Sequence, residues 1–304
     1  MKKKTYKRLN IRETRADYIT LGIIYIILSL VGIITLYPVI YVFSASISDP
    51  VAVNSGQVLL WPVGIHFEGY RYIFENDWVM IGYRNSTVYT VLGTLLNLTV
   101  TFLAAYALSR EDLFGRPIIS FYMIIPMWFS GGLIPTFITV NNLGLVNKPY
   151  TLIILGAISM YNCVICRTFI QSSIPQELQE AARIDGCNDF GIMLKIVLPL
   201  SKPVLAILAL YYGLGHWNDY FTALIYVNDR KLQPLQTFLR MILILNEEID
   251  MSDVTQLEIA QYRSYISQIM RYGLIVVASL PMLIAYPFVQ RYFVKGVMIG
   301  ALKG

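Results

Sequence analysis

Long apolar stretches separated by short polar segments dominate this sequence. Six of them contain about 20 residues or more, the length that an α-helix needs to cross the hydrocarbon core of a bilayer. They run over Ile19–Phe43, Ser86–Leu108, Pro117–Val140, Tyr150–Ile170, Pro203–Tyr226 and Tyr272–Phe293. The first exceeds the apolar length of a signal peptide and no small-residue cleavage site follows it, so we interpret it as a retained span. The pattern predicts an all-α membrane protein that crosses the bilayer repeatedly.

The composition excludes an ordinary soluble domain. Hydrophobic residues make up 56% of the 304 residues and charged residues only 14%, with a mean hydropathy of +0.56. Soluble domains carry about 25% charged residues. The net charge of +5 does not call for nucleic acid, because a basic cluster beside a membrane span is explained by topology and by anionic lipid.

Lysine and arginine predict the orientation of the chain. Basic residues cluster before the first span, and the loop after it, residues 44–83, holds only Arg71. Because loops rich in Lys and Arg stay in the cytoplasm, both termini are predicted to be cytoplasmic. The loop of residues 227–271 fits poorly, since it carries several basic residues on the predicted outer side, but long loops count for little in this rule.

A polar segment with a turn, residues 174–200, lies between the fourth and fifth predicted spans. Pro175 suits the first turn of a helix, and Gly186 can end that helix in a left-handed conformation. Asn188 is a candidate N-cap for a second helix that ends at Pro199. We therefore expect a helix–turn–helix unit on the cytoplasmic surface, which either docks a partner or is an ordinary amphipathic interfacial helix.

The spacing within this segment resembles the signature (EAA) loop of ABC-importer permeases. Glu180-Ala-Ala is followed after three residues by Gly186 and, after nine more, by Ile196-Val-Leu-Pro199. In that family the loop forms coupling helices that dock in a cleft of an ATPase subunit. The resemblance implies that the ATPase-coupling residues are Glu180, Ala181, Ala182, Asp185 and Gly186.

Further motifs make the chain similar to carbohydrate permeases of the type I class. They are Asn85-Ser86, Ala104–Arg110, Asn142–Leu145, Trp217–Tyr220, Gln233–Gln236 and Gln290–Gly304. Together they cover nearly the whole chain and resemble the maltose-importer group, in particular its subgroup for complex oligosaccharides such as pectin, alginate or glycan fragments. The resemblance implies a six-helix, type I importer (MetI-like) permease fold in a bacterial cell membrane. With the predicted spans and charge distribution, we expect a cytoplasmic segment at 1–18, a permease domain at 19–295 and a cytoplasmic tail at 296–304.

Neither an ATP site nor a catalytic site is expected. Gly186-Cys-Asn-Asp-Phe-Gly191 has two glycines of a phosphate-binding loop, but Ile192-Met193 stands where Lys-Ser/Thr would be required. Cys163 and Cys166 have CxxC spacing without a second Cys/His pair, so no metal site is predicted. We expect a protein that is not an enzyme and binds no cofactor, with ATP used by partner subunits.

The partners follow from the resemblance. It implies a second homologous permease, two cytoplasmic ATPase subunits, an extracytoplasmic solute-binding protein and a sugar or oligosaccharide substrate, besides membrane lipid. Transport would proceed by alternating access. Two alternatives stay open: a secondary transporter, for which the halves show no convincing inverted repeat, and an importer permease for a non-sugar solute.

The fifth predicted span holds the best candidates for substrate contact. Trp217, Asn218, Asp219 and Tyr220 are consecutive, and polar groups inside a span usually face a cavity or a partner. Aromatic faces can stack on sugar rings, while Asn and Asp bond hydroxyl groups. The alternative is structural: these residues tie the span to its neighbours or belong to an interfacial aromatic belt.

The loop of residues 227–271 is long enough for two short helices, from about Leu235 to Ile269. The equivalent loop of maltose-type permeases reaches into the binding protein, so the resemblance implies the same contact here. A solvated cap over the bundle is the alternative.

Overall fold

The computed structural model describes the backbone of residues 15–244 and 254–301, and both ranges consist of helices joined by turns, without a strand. The predicted all-α class is confirmed. The basic residues of segment 1–14, the part of the predicted outer loop at 245–253 and the last three residues lie outside the described residues.

The helices are numbered along the described ranges. The first half of the chain forms α1 (Arg15–Ser46), α2 (Pro50–Asn54), α3 (Glu68–Glu75), α4 (Asp77–Ser109), α5 (Arg116–Trp128), α6 (Leu133–Asn142), α7 (Thr151–Ile154) and α8 (Met160–Ser173). The second half forms α9 (Gln176–Ile184), α10 (Asp189–Ile192), α11 (Leu198–Leu200), α12 (Lys202–Asn218), α13 (Phe221–Tyr226), α14 (Leu235–Ile244) and α15 (Val254–Ala301). A π-helical turn at Met193–Val197 joins α10 to α11, and a 3₁₀ turn at Arg230–Leu232 precedes α14.

Three single helices, α1, α4 and α15, are long and apolar enough to cross a membrane. Two bent pairs would raise the number to five: α5 with α6, at 115°, and the segment Asp189–Leu200 with α12, at 77°. The predicted fourth span is divided into α7 and α8, neither of which is long enough alone. The multi-pass character is confirmed, and the count of six spans stays a prediction.

Local backbone chemistry explains the breaks that the hydropathy pattern missed. Pro126 lies near the end of α5, and Gly132 before α6 adopts φ +84°. Gly156, between α7 and α8, has φ +76°, and the Ser159 hydroxyl caps α8 by accepting a hydrogen bond from the Asn162 amide. The pattern could not place these breaks because a few glycine and serine residues within a long apolar stretch leave its mean hydropathy high.

The predicted outer loop contains one separate helix in the described residues, where two were expected. One of its two expected helices is α14, but the other is not separate: Val254–Ala301 is one continuous helix of 48 residues that includes the sixth predicted span.

Helix α4 packs against both α8 and α12, and two buried clusters lie along it. One surrounds its C-terminal half and includes Ile174 and Ile192 from the segment around α9. The other joins the start of α4 to α3, α14 and α15 and includes Trp217. The predicted coupling segment around α9 and the predicted substrate-path residue Trp217 therefore pack against different clusters along the same helix.

Candidate functional site

The turn after α9 is built around Gly186. The Gly186 amide donates to the Arg183 carbonyl at 3.1 Å, and the Cys187 amide donates to the Ala182 carbonyl at 2.9 Å. These two bonds define a Schellman motif, which needs a left-handed residue at the position of Gly186. Its φ of +82° meets that need, so the predicted left-handed end of the helix is confirmed.

A second helical segment begins directly after the turn. Asn188 is its N-cap, as predicted, and its side-chain oxygen accepts the Gly191 amide at 2.8 Å. Two predicted boundaries were wrong by about one residue. Pro175 is the N-cap of α9 rather than part of its first turn, and helical structure continues past Pro199 to Leu200. The chain then bends by 77° into α12.

The predicted coupling residues divide between an outer and an inner face of this unit. Glu180, Ala181, Asp185 and Gly186 are exposed, whereas Ala182 is half-buried and packs against the cluster around α8. The small Ala182 side chain lets α9 lie close to the bundle. The exposed members leave a continuous surface on which another protein could dock.

Two apolar side chains on this surface were missed by the sequence analysis. Ile184 is 87% exposed and Phe190 is 63% exposed. Large exposed apolar side chains that lie close together are typical of protein interfaces. Their position beside the Gly186 turn was visible in the sequence, but their exposure depends on how the two helices fold against the bundle.

A network of two arginines and two aspartates joins this unit to the end of α4. Arg110 Nε and Nη2 donate to the two carboxylate oxygens of Asp112 at 3.0 and 2.8 Å, and its Nη1 donates to Gln179 Oε1 at 3.2 Å. Arg183 Nη2 donates to Asp112 Oδ2 at 3.2 Å and to Asp189 Oδ1 at 2.8 Å. Arg110 Nη2 lies 3.7 Å from Asp189 Oδ1, which closes the charges into a ring.

The ring changes the acidity of its members. Hydrogen bonds from Arg110 and, to a lesser extent, from Arg183 hold the pKa of Asp112 well below its ordinary value. The hydrogen bond to Asp112 raises the pKa of the Arg110 guanidinium, and the hydrogen bonds to Asp189 and then to Asp112 raise the pKa of the Arg183 guanidinium. All these shifts favour the charged forms. A cavity of about 400 Å³ adjoins the ring, between the end of α4 and the α8–α9 connection, and Glu180 and Arg183 are among its lining residues.

The predicted substrate-path residues are not equivalent. Trp217 is 3% exposed, its indole Nε1 donates to the Ala278 carbonyl at 2.8 Å, and its ring packs edge-on against Tyr83. These contacts tie α12 to α15 and to α4. In this conformation Trp217 is a packing residue.

The other three lie at the break between α12 and α13. The exposed Asn218 donates to the Leu214 carbonyl, and the Asp219 carboxylate accepts the Thr222 amide at 3.0 Å. Tyr220 is 40% exposed, and the Arg240 guanidinium lies 5.2 Å from its ring centroid. The structure thus brings an aromatic ring and a cation together at an exposed position.

A buried polar contact next to Trp217 was also missed. His216 Nε2 lies 2.6 Å from Asn97 Oδ1 on α4, and the Asn97 side-chain amide donates to the Gly156 carbonyl at 2.7 Å. The His216 ring fits only because Gly93 has no side chain, since a Cβ there would overlap the ring. The close approach of α12 to α4 therefore depends on Gly93.

Two motifs that were far apart in sequence meet at the other end of α4. The Asn85 amide donates to the Lys231 and Gln233 carbonyls, and the buried Ser86 hydroxyl accepts the Leu235 amide at 2.8 Å. We call this set of contacts the α4 clasp. Both motifs are recognisable in the sequence, but their spacing does not predict that they touch.

Comparison with known proteins identifies the family. Residues 97–299 match the family described as binding-protein-dependent transport system inner membrane component. The chain belongs to this family. The matched range contains the helices α9 to α11, residues 176–200, which we call the α9 unit. It also contains the Trp217–Tyr220 stretch and most of the contacts described above.

Relatives match the permease over almost its full length. It is 40% identical over 284 residues to the polygalacturonan/rhamnogalacturonan transport system permease protein YtcP of Bacillus subtilis, covering 93% of this chain and 97% of the relative. It is 38% identical over 274 residues to protein LplC of the same organism, covering 90% and 91%. A chain in the crystal structure of a bacterial ABC transporter involved in import of the acidic polysaccharide alginate is 33% identical, with a TM-score of 0.83. That match covers 92% of the permease and 99% of the other chain.

Proposed function

We propose that this permease is a membrane subunit through which an oligosaccharide, released by a binding protein, enters the cytoplasm of a bacterium. The observation that carries the proposal is the match over 92% of the chain, at a TM-score of 0.83, to a component of an importer for an acidic polysaccharide. The name of the relative YtcP, a polygalacturonan/rhamnogalacturonan transport system permease protein, supports the same substrate class.

The α9 unit is the proposed ATPase dock and faces the cytoplasm. Glu180, Ala181, Asp185 and Gly186 are exposed there, and Ile184 adds an apolar side chain that is costly to leave in water. In the proposed complex two ATPase subunits hydrolyse ATP, one under this permease and one under a second homologous permease. The chain itself binds no cofactor and catalyses no reaction.

Orientation follows from this assignment. Residues 1–18 and 296–304 lie in the cytoplasm, residues 19–295 form the permease domain, and the loop of residues 227–271 faces outward. The α4 clasp then lies on the outer side, where a loaded binding protein docks. Closure of the ATPase subunits moves the paired α9 units, and rigid-body motion of the two permeases opens the path outward. Hydrolysis resets the path and releases the sugar inward.

We propose an acidic oligosaccharide as cargo and Tyr220 as its contact in this chain. An exposed ring can stack against the apolar face of a sugar, and the nearby Arg240 guanidinium can pair with a uronate carboxylate. Asn218 and Asp219 belong to the same break and supply polar groups toward sugar hydroxyls. Trp217 supports them from the core.

The test uses the complete complex in lipid nanodiscs, with ATP hydrolysis measured as a panel of loaded binding proteins is added. We expect stimulation by binding proteins loaded with uronate oligosaccharides and little by neutral ones. Stimulation by a non-sugar ligand alone would contradict the substrate class. Transport without any ATPase subunit would instead support a secondary transporter.

Docking through α9 is tested by charge reversal on its exposed face. Glu180→Lys is expected to reduce ATPase co-purification at least about tenfold, since a like-charge or unpaired group at an interface costs more than 1.4 kcal/mol. Glu177→Lys is the matched control, because Glu177 is exposed on the same helix and carries the same charge but is not one of the proposed coupling residues. Equal ATPase recovery in the two variants would contradict the proposed dock.

A further inference from the structure

Helix α9 is not held in place by a hydrophobic core of its own, because none of its residues is buried. The chain is anchored on either side of it instead. Ile174 is 4% exposed and Ile192 is fully buried, and both belong to the cluster around the C-terminal half of α4. Within α9 itself, the half-buried Ala182 is the residue that packs against this cluster, and one small side chain constrains the rotation of the helix only weakly.

The polar ring supplies the missing constraint. Gln179 and Arg183 are four residues apart and therefore lie on the same face of α9. Gln179 accepts a hydrogen bond from Arg110, and Arg183 donates to Asp112, the carboxylate that Arg110 holds with two parallel bonds. Asp189, in the first turn of α10, closes the ring. Both α9 and α10 are therefore held by contacts to Arg110.

Arg110 lies at the end of the long helix α4. Arg110 is the C-cap of α4, and its side chain is only 17% exposed. At 1.5 Å per residue, the 33 residues of α4 extend about 50 Å, and the α4 clasp lies toward the opposite end. The Arg183–Asp189 pair of the ring is exposed, and exposed ion pairs contribute little to folding stability, so we attribute the ring to geometry rather than to stability.

We propose that Arg110 is a positioning residue that fixes the rotation of the ATPase-docking helix α9 relative to α4, so that a push on α9 moves α4 as one body. This inference rests on the proposed function, since it requires α9 to be the docking helix. Asp112, Arg183 and Asp189 hold Arg110 in register. Arg110 itself touches neither the cargo nor, in this proposal, the ATPase.

The first test measures transport per ATP hydrolysed in proteoliposomes. Arg110→Gln removes the positive charge and the two parallel hydrogen bonds to Asp112. We expect transport per ATP to fall at least about fivefold, which is the lower end of the usual coupling between two sites. ATPase co-purification and the melting temperature should stay near the wild type. The control is Arg71→Gln, which breaks an exposed i,i+4 pair with Glu75 on α3 and should leave transport per ATP unchanged.

Three outcomes would overturn the proposal. They are an unchanged transport-to-ATP ratio in Arg110→Gln, an equal fall in the Arg71→Gln control, and loss of ATPase binding in a well-folded Arg110→Gln protein. The last would place Arg110 in the docking surface itself. Arg110→Lys keeps the charge but cannot make the parallel bonds to Asp112, so it should recover only part of the ratio.

A second pair of variants keeps the test valid if Arg110→Gln folds poorly. Arg183→Gln and Asp189→Asn remove the two partners of the 2.8 Å contact at the surface. If the ring acts as a unit, the double variant should lose little more than either single variant. If the fold-loss in transport per ATP of the double variant instead equals the product of the two single losses, the residues act independently. That result would contradict the proposal that the ring acts as a unit.

A distance measurement separates this inference from the proposed substrate. Spin labels at Phe114→Cys, beyond the end of α4, and Glu177→Cys, on α9, report their relative position without any cargo, with Cys187→Ser limiting background labelling. Arg110→Gln should broaden the distance distribution in the ATPase-bound complex. An unchanged distribution would overturn the ring even if uronate import is confirmed, and a broadened one would support it even if the cargo proves different.

Discussion

Trp217 carries one polar atom, and that atom determines where the side chain can lie. Its indole N–H is satisfied by the Ala278 carbonyl of α15, which permits the ring to be almost completely buried. Tyr220, three residues later, follows the end of α12 and remains 40% exposed. Two aromatic residues from one motif therefore have different tasks, and the residue types alone did not separate them.

Alanine substitution distinguishes packing from substrate contact. Trp217→Ala should reduce the free energy of unfolding by about 3–5 kcal/mol, because it leaves a cavity and an unpaired carbonyl. Tyr220→Ala should change it by no more than about 0.5 kcal/mol but should weaken uptake of an acidic oligosaccharide. Thermal unfolding in detergent and uptake assays measure the two effects. A stable Trp217→Ala protein with altered sugar selectivity would indicate that Trp217 contacts the substrate after all.

Helix α4 is the element on which the others are arranged. At one end the clasp holds the segment before α14, in the middle Asn97 holds His216 of α12, and at the other end Arg110 holds α9. Each contact joins α4 to a segment more than 60 residues away along the chain. Hydropathy predicted α4 because its apolar run is long, but it could not predict these contacts, since no local rule pairs residues at such separations.

The clasp can be loosened without disturbing α9. Ser86→Ala leaves the buried Leu235 amide without its acceptor, which costs about 1–3 kcal/mol locally. We expect faster hydrogen exchange around residues 231–235 and unchanged exchange in α9. Thr87→Ala is the matched control, because the exposed Thr87 hydroxyl bonds only to its own helix. Equally fast exchange in both variants would argue against the clasp.

The whole molecule exposes more apolar surface than a soluble protein would tolerate. None of the most apolar stretch of α1 is buried, and α5 has no buried residue. Trp128 and Phe129, at the bend before α6, are 79% and 77% exposed. Lipid and, in our proposal, a second permease cover these surfaces.

Assembly should therefore stabilise the permease. We expect a higher melting temperature when it is co-purified with its partner permease than when it is purified alone, because a partner that binds only the folded state adds its binding free energy to stability. The ATPase subunit alone should give a smaller increase, since α9 is a small surface. Equal melting temperatures with and without the partner permease would contradict this.

The sequence by itself determined the membrane environment, the helical class and the turn at Gly186. Each of these depends on local chemistry: apolar run length, the charge of loops, and a position where only a left-handed residue closes the Schellman motif. Only the tertiary structure decided that Trp217 is buried, that no residue of α9 is buried and that Arg110 lies within reach of Gln179 and Asp189. These are contacts between distant segments, and they exist because buried packing around α4 brings together residues that no periodicity connects.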